Sequence, residues 1–184
     1  LYAASMHPSI LRHRLVLLAF TLYIALAGAA HAQSGERQLQ ATTPGGARIF
    51  ARVPAGWQAG GPLVVVNHGY GLAFDADPDL GPLVAPMLAQ GYAVAASSYR
   101  TAGWALFVAL DDNAALIERF STTFGAPGSV LATGGSMGGL IALKMGEDPR
   151  FAPLLAGVYA VCPPADGLLA WDSGFDLRMV YDAV

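Results

Sequence analysis

The feature that most constrains this chain is a set of short apolar runs that do not alternate. Leu63 to Asn67 (LVVVN) and Tyr92 to Ser97 (YAVAAS) carry apolar residues at consecutive positions. A strand with one wet face alternates polar and apolar residues; a strand covered on both faces has no reason to. Such strands belong to a parallel sheet with helices on both sides. The intervening segments fit. Leu83 to Gln90 reads as a short helix ending at Gly91. Ala105 to Phe120 places apolar residues at 106, 107, 110, 114, 117 and 120, the spacing of an amphipathic helix. Gly125 to Gly128 breaks it, Ser129 to Thr133 reads as a third central strand, and a helix begun near Met137 runs to Glu147. Leu154 to Val161 contains a fourth. Ile49 to Val53 is a shorter strand candidate, closed by Pro54 and Gly56. Strands alternating with helices imply βαβ units, so the expected class is α/β with a doubly wound, mostly parallel sheet.

The start of the chain reads as processing sequence. Met6 is the first plausible start, which leaves residues 1–5 upstream of it. Arg12 and Arg14 precede an uncharged apolar run from Leu15 to Ala27, and Ala30-His31-Ala32 satisfies a small-x-small cleavage rule before Gln33. Charge, apolar stretch and small-residue site in that order form a secretory signal peptide over residues 1–32, so the mature chain is expected to be secreted or periplasmic. The run is short for a spanning helix, which needs roughly 20 apolar residues, so no stable membrane anchor is expected after cleavage. Residues 33–47 are polar and Gly/Thr-rich and read as a linker, 48–164 as the core, and 165–184 as the start of an apolar lid or insertion.

Composition excludes several classes. With 54% hydrophobic and 12% charged residues the chain is too apolar to be disordered. Ten basic against 13 acidic residues, net −3, argues against nucleic acid as a partner. A single cysteine, Cys162, rules out a disulfide scaffold, and its place at the end of an apolar run predicts a buried thiol.

Two motifs carry chemistry. Gly134-Gly135-Ser136-Met137-Gly138 satisfies G-x-S-x-G and lies between a predicted strand and a predicted helix, the context that motif requires. A serine at the tip of so tight a turn is held in a strained backbone conformation that lifts its hydroxyl out of the sheet edge. Side chains two residues before and after would collide, so both positions need glycine. Gly139 and Ala142 then let the helix approach the sheet. Asn67-His68-Gly69-Tyr70-Gly71 follows the first buried strand. A Gly-rich turn there can aim backbone N–H groups into the cleft at the carboxyl ends of the strands. Donors so placed stabilise an oxyanion by ~3–4 kcal/mol each.

From about Pro62 to Pro164 the chain resembles the α/β-hydrolase superfamily. The residues that carry the likeness are VVVNHGYG at 64–71, GYAVAASSYR at 91–100 and TGGSMGGLIALKM at 133–145. ASSYR followed by Gly103-Trp104 is similar to secreted esterases, lipases and prolyl-oligopeptidase-like peptidases. The resemblance implies Ser136 as nucleophile, with the backbone N–H groups of Met137 and Tyr70 as the oxyanion hole. His68, Gly69, Gly71, Gly134 and Gly138 support the two turns. It implies hydrolysis of a carboxylic ester, with small-molecule esters or short peptides as substrates and a serine peptidase of prolyl-oligopeptidase type as the alternative. A catalytically inert binding domain on the same fold is the rival reading. No cofactor and no metal is called for.

The same likeness expects an Asp and a His after Ser136, and this chain departs from it. Its four histidines are His7, His13, His31 and His68, all before the nucleophile. His68 sits in the oxyanion turn, where packing and local hydrogen bonding are its expected work. The simplest expectation is a fragment of a longer product, incomplete at its C-terminal end and inactive by itself, with the triad Asp and His elsewhere. Asp166, Asp172, Asp176 and Asp182 read as caps or surface charges. Asp75, Asp77 and Asp79 alternate as in a calcium loop, but no bidentate Glu follows at the expected place, so a solvated loop is the better reading.

Overall fold

The computed structural model describes residues 35–71, 78 and 80–165. The expected signal peptide, most of the expected lid, the acids from Asp166 onward and the Asp75, Asp77 and Asp79 loop lie outside the described residues. Among the described residues six strands form one sheet: β1 (Arg37–Thr42), β2 (Arg48–Val53), β3 (Pro62–Asn67), β4 (Ala93–Ser97), β5 (Ser129–Gly135) and β6 (Leu155–Val161). Their order across the sheet is β1-β2-β4-β3-β5-β6. β4, β3, β5 and β6 are parallel neighbours, while β1 and β2 form an antiparallel hairpin whose β2 lies antiparallel to β4. Three helices are described: α1 (Val84–Ala89), α2 (Leu106–Phe124) and α3 (Met137–Glu147).

The non-alternating runs behave as expected. Leu63 and Val65 of β3 join a core layer with Leu116, Ile117 and Phe120 of α2 and Ala142 and Met145 of α3. Val64 faces the other way, into a layer with Leu80, Val94 and Ala96 against which Val84, Met87 and Leu88 of the α1 segment pack. Helices therefore cover both faces, and all five residues of β4 are buried. At neighbouring β3 and β5 the chain turns to opposite faces, to α1 after β3 and to α3 after β5. The carboxyl ends of these two strands, where the chain diverges, are the place where α/β sheets bind ligands.

Three expectations are corrected. The linker read over residues 33–47 contains strand β1. Leu39 is buried and Ala41 half-buried while their neighbours point outward, a short alternation hidden among polar residues. The fourth central strand, β6, is an edge strand of the described sheet, with Tyr159 and Val161 exposed. Cys162 is exposed as well, because the chain turns out of β6 at that residue with a positive φ of 45°.

Candidate active site

Ser136 stands between the last residue of β5 and the first of α3. Its backbone has φ 54° and ψ −128°, a region that residues with a Cβ seldom occupy. Three sets of contacts hold it there. Its N–H donates to the Val161 carbonyl of β6 (2.9 Å), and its carbonyl accepts from the N–H groups of Gly139 (3.0 Å) and Leu140 (3.2 Å) in the first turn of α3. Gly134 and Gly138 supply the space. A Cβ at Gly138 would lie 2.0 Å from the Asn67 carbonyl oxygen, and one at Gly134 would lie 2.5 Å from the same atom. The glycines thus answer to the end of β3 as much as to each other. The outcome is an exposed serine just beyond the carboxyl end of β5.

Met137 is the first residue of α3, its side chain fully buried beside Tyr99, Ala105, Ala109 and Ile141. The first N–H groups of a helix have no partner within it; those of Gly139 and Leu140 meet the Ser136 carbonyl, and those of Met137 and Gly138 precede them. The loop after β3 passes over the elbow: a Cβ at Gly69 would stand 3.8 Å from that of Ser136. Gly71 is tied to Gly103 by a bridge whose hydrogen bond, Gly103 N–H to the Gly71 carbonyl, is 2.7 Å. Between these glycines Tyr70 is 47% exposed and meets Trp104 edge-on, with ring centres 6.1 Å apart.

His68 is placed for support. Its ring stacks on Tyr99 at 4.2 Å between centres. Nδ1 lies 2.7 Å from the Gly69 carbonyl oxygen and Nε2 lies 3.2 Å from that of Ser98. Carbonyls only accept, so whichever nitrogen carries hydrogen donates to the backbone of the oxyanion turn or to the segment after β4. Among the described residues no hydrogen bond joins His68 to Ser136.

Beneath the site lies a polar cluster that the motifs do not announce. Asn67, Tyr99, Asp112 and Asn113 are all buried. Tyr99 sits at φ 56°, its bend stitched by Ser97 Oγ, which accepts its N–H (3.1 Å), and by Ser98 Oγ, which donates to its carbonyl (3.0 Å). The SSYR phrase is thus a backbone device. Burial pushes the Tyr99 hydroxyl well above its ordinary titration range; the Asp112 charge adds to this, and a backbone hydrogen bond from His68 opposes it. Asp112 accepts from the Arg100 N–H (2.9 Å) and from Arg100 Nε (2.8 Å). The available signal was two polar residues, Asp112 and Asn113, within a helix otherwise read by its apolar spacing.

No protein-family model and no curated protein matches the chain. Solved structures do. A prolyl endopeptidase is similar with a TM-score of 0.59 at 19% identity, covering 80% of this chain and 23% of that one. Brefeldin A esterase, described as a bacterial homologue of human hormone-sensitive lipase, is similar with a TM-score of 0.53 at 22% identity, covering 78% of this chain and 44% of that one. Esterase B from Lactobacillus rhamnosis, in a tributyrin phosphonate complex, has a TM-score of 0.53 at 19% identity, covering 96% of this chain and 66% of its own. The chain therefore spans less than two thirds of each of these proteins. What it shares with them is the parallel sheet wound on both faces: the chain has an α/β-hydrolase fold.

Proposed function

We propose that the intact protein is a serine hydrolase of carboxylic esters with Ser136 as nucleophile. The observation that carries this is the conformation of Ser136, an exposed serine at φ 54° on a strand-to-helix turn whose flanking glycines are packed against the end of β3. Strain of this kind costs of order 1–3 kcal/mol and persists where the surroundings over-determine it, as at reactive turns. In this reading Ser136 Oγ attacks the substrate carbonyl. The tetrahedral oxyanion is held by the Met137 N–H at the start of α3 and by the Tyr70 N–H of the loop above it. A general base takes the hydroxyl proton and later returns it to the leaving group. Both nitrogens of His68 face backbone carbonyls, so the base is a group outside the described residues. Export of the mature chain and a small ester as substrate belong to the same proposal. Prolyl endopeptidases share the fold, which makes the amide bond of a short peptide the second substrate to compare.

A fluorophosphonate probe tests the reading. In the intact protein it should label Ser136, and Ser136→Ala should lose both label and esterase activity while its circular dichroism is kept. Labelling of another serine, or equal labelling of the Ala variant, overturns the assignment. A folded protein that takes no label at all would be a binding domain on this fold.

A further inference from the structure

Asn67 is the last residue of β3, is 2% exposed, and belongs to a strand whose neighbours are apolar. Burying an amide there is costly unless every polar atom is satisfied. Here it is. Oδ1 accepts from Asn113 Nδ2 of α2 (2.7 Å) and from the Tyr99 hydroxyl just beyond β4 (3.3 Å). Nδ2 donates to the Thr133 carbonyl of β5 (3.2 Å) and lies 3.7 Å from Met145 Sδ of α3. One side chain thereby touches four segments of chain, in four directions.

The backbone of the same residue sits against both glycines of the elbow, since its carbonyl oxygen occupies the space a Cβ at Gly134 or Gly138 would need. Paired with Gly134 in the sheet register, it is the last fixed point before the loop that carries Tyr70. On the reading proposed above, the two oxyanion donors lie on different elements, the Met137 N–H on α3 and the Tyr70 N–H three residues after Asn67. Their separation depends on how the end of β3 is held to β5 and α3. A leucine would fill the same volume, but it would fix no direction.

We propose that Asn67 is a positioning residue that sets the spacing of the two halves of the oxyanion hole. It touches no substrate; it acts through the loop that follows it. This inference rests on the proposed function, and the test separates the two. In the intact protein, Asn67→Leu should fold and keep KM for a nitrophenyl ester within a few-fold. Its kcat should fall by about 100-fold, the scale of a donor misplaced by an ångström. Affinity for a boronic acid, which mimics the tetrahedral state, should fall in the same proportion. Val65→Ala, a core change in the same strand, should lower Tm while leaving kcat per folded molecule unchanged. Should Asn67→Leu fail to fold, Asn113→Ala removes the shortest of the four contacts and should lower kcat alone, by about tenfold. A folded Asn67→Leu or Asn113→Ala protein with wild-type kcat, or with kcat and KM changed together, overturns the inference while leaving Ser136 labelling intact. Loss of Ser136 labelling from the wild-type protein would instead overturn the functional reading.

Discussion

Ser136 keeps a Cβ where the backbone favours none. Glycine at this position removes the conflict, whereas alanine does not. Ser136→Gly should therefore be more stable than Ser136→Ala by about 1 kcal/mol in urea unfolding, with both inactive. Equal stabilities would show that the turn carries no strain. Tyr99 gives a second residue-scale expectation. Its ordinary value is 10.0 and burial raises it. Below that pH both folded and unfolded chains hold the proton and stability is indifferent to this group. Above it the unfolded chain releases the proton while the folded chain retains it, so stability falls as pH rises. Tyr99→Phe should flatten that alkaline limb, at a baseline cost of about 1 kcal/mol for the lost hydroxyl bond. Denaturant midpoints from pH 8 to 11 measure it; an unchanged slope refutes it. Ser136 and its glycines were legible as a strained turn because sterics leave few alternatives there. The role of Asn67 was not, because one amide at a strand end has no sequence signature until its four partners are assembled from distant segments.

At the scale of elements, α2 shows what periodicity conveys and what it omits. Its existence follows from the apolar spacing, but the spacing was assigned to a face containing Phe107, which is 79% exposed. The buried face runs through Ala109, Asp112, Asn113, Leu116, Ile117 and Phe120. Two polar residues belong to it because Asp112 accepts from Arg100 and Asn113 Nδ2 donates to Asn67 Oδ1, and hydropathy counts them on the wrong side. β1 was missed for a related reason, since a strand of a two-stranded hairpin needs to bury little more than Leu39. Asp112 holds the segment after β4 to α2 through both the backbone and the guanidinium of Arg100. Asp112→Asn keeps the shape and removes the charge. It should destabilise by about 1.5–3 kcal/mol, the range for a hydrogen bond to a charged group, as judged by the shift in denaturant midpoint. A change below a few tenths would mean that Arg100, with a side chain 33% exposed, is served equally well by water.

For the whole molecule, the doubly wound sheet was legible because it follows from strands too apolar to face water. The order in which strands pair was not, since a run such as LVVVN does not name its neighbours. The same kind of run reads as central at β6, which is an edge of the described sheet. The chain from residue 33 to 184 contains a histidine whose two nitrogens are turned to carbonyls. On the proposed function, a triad without its base keeps roughly 10³–10⁴-fold catalysis over water, against the ~10⁶-fold minimum typical of enzymes. Purified residues 33–184 should accordingly show negligible turnover of a nitrophenyl ester. Efficient turnover that depends on Ser136 would place a base among groups assigned no such role.

The hydrogen bond from Ser136 N–H to the Val161 carbonyl has a thermal consequence. Edge strands are the first part of a sheet to open, by local fluctuations that cost less than global unfolding. When β6 lifts, the serine loses one of the contacts that keep its backbone twisted, and the stored conformation relaxes. Heating should therefore relax the serine turn before the chain melts. The Ser136 amide should exchange with deuterium at the pace of β6 rather than at the slower pace of β3, at temperatures where the far-ultraviolet spectrum is still unchanged.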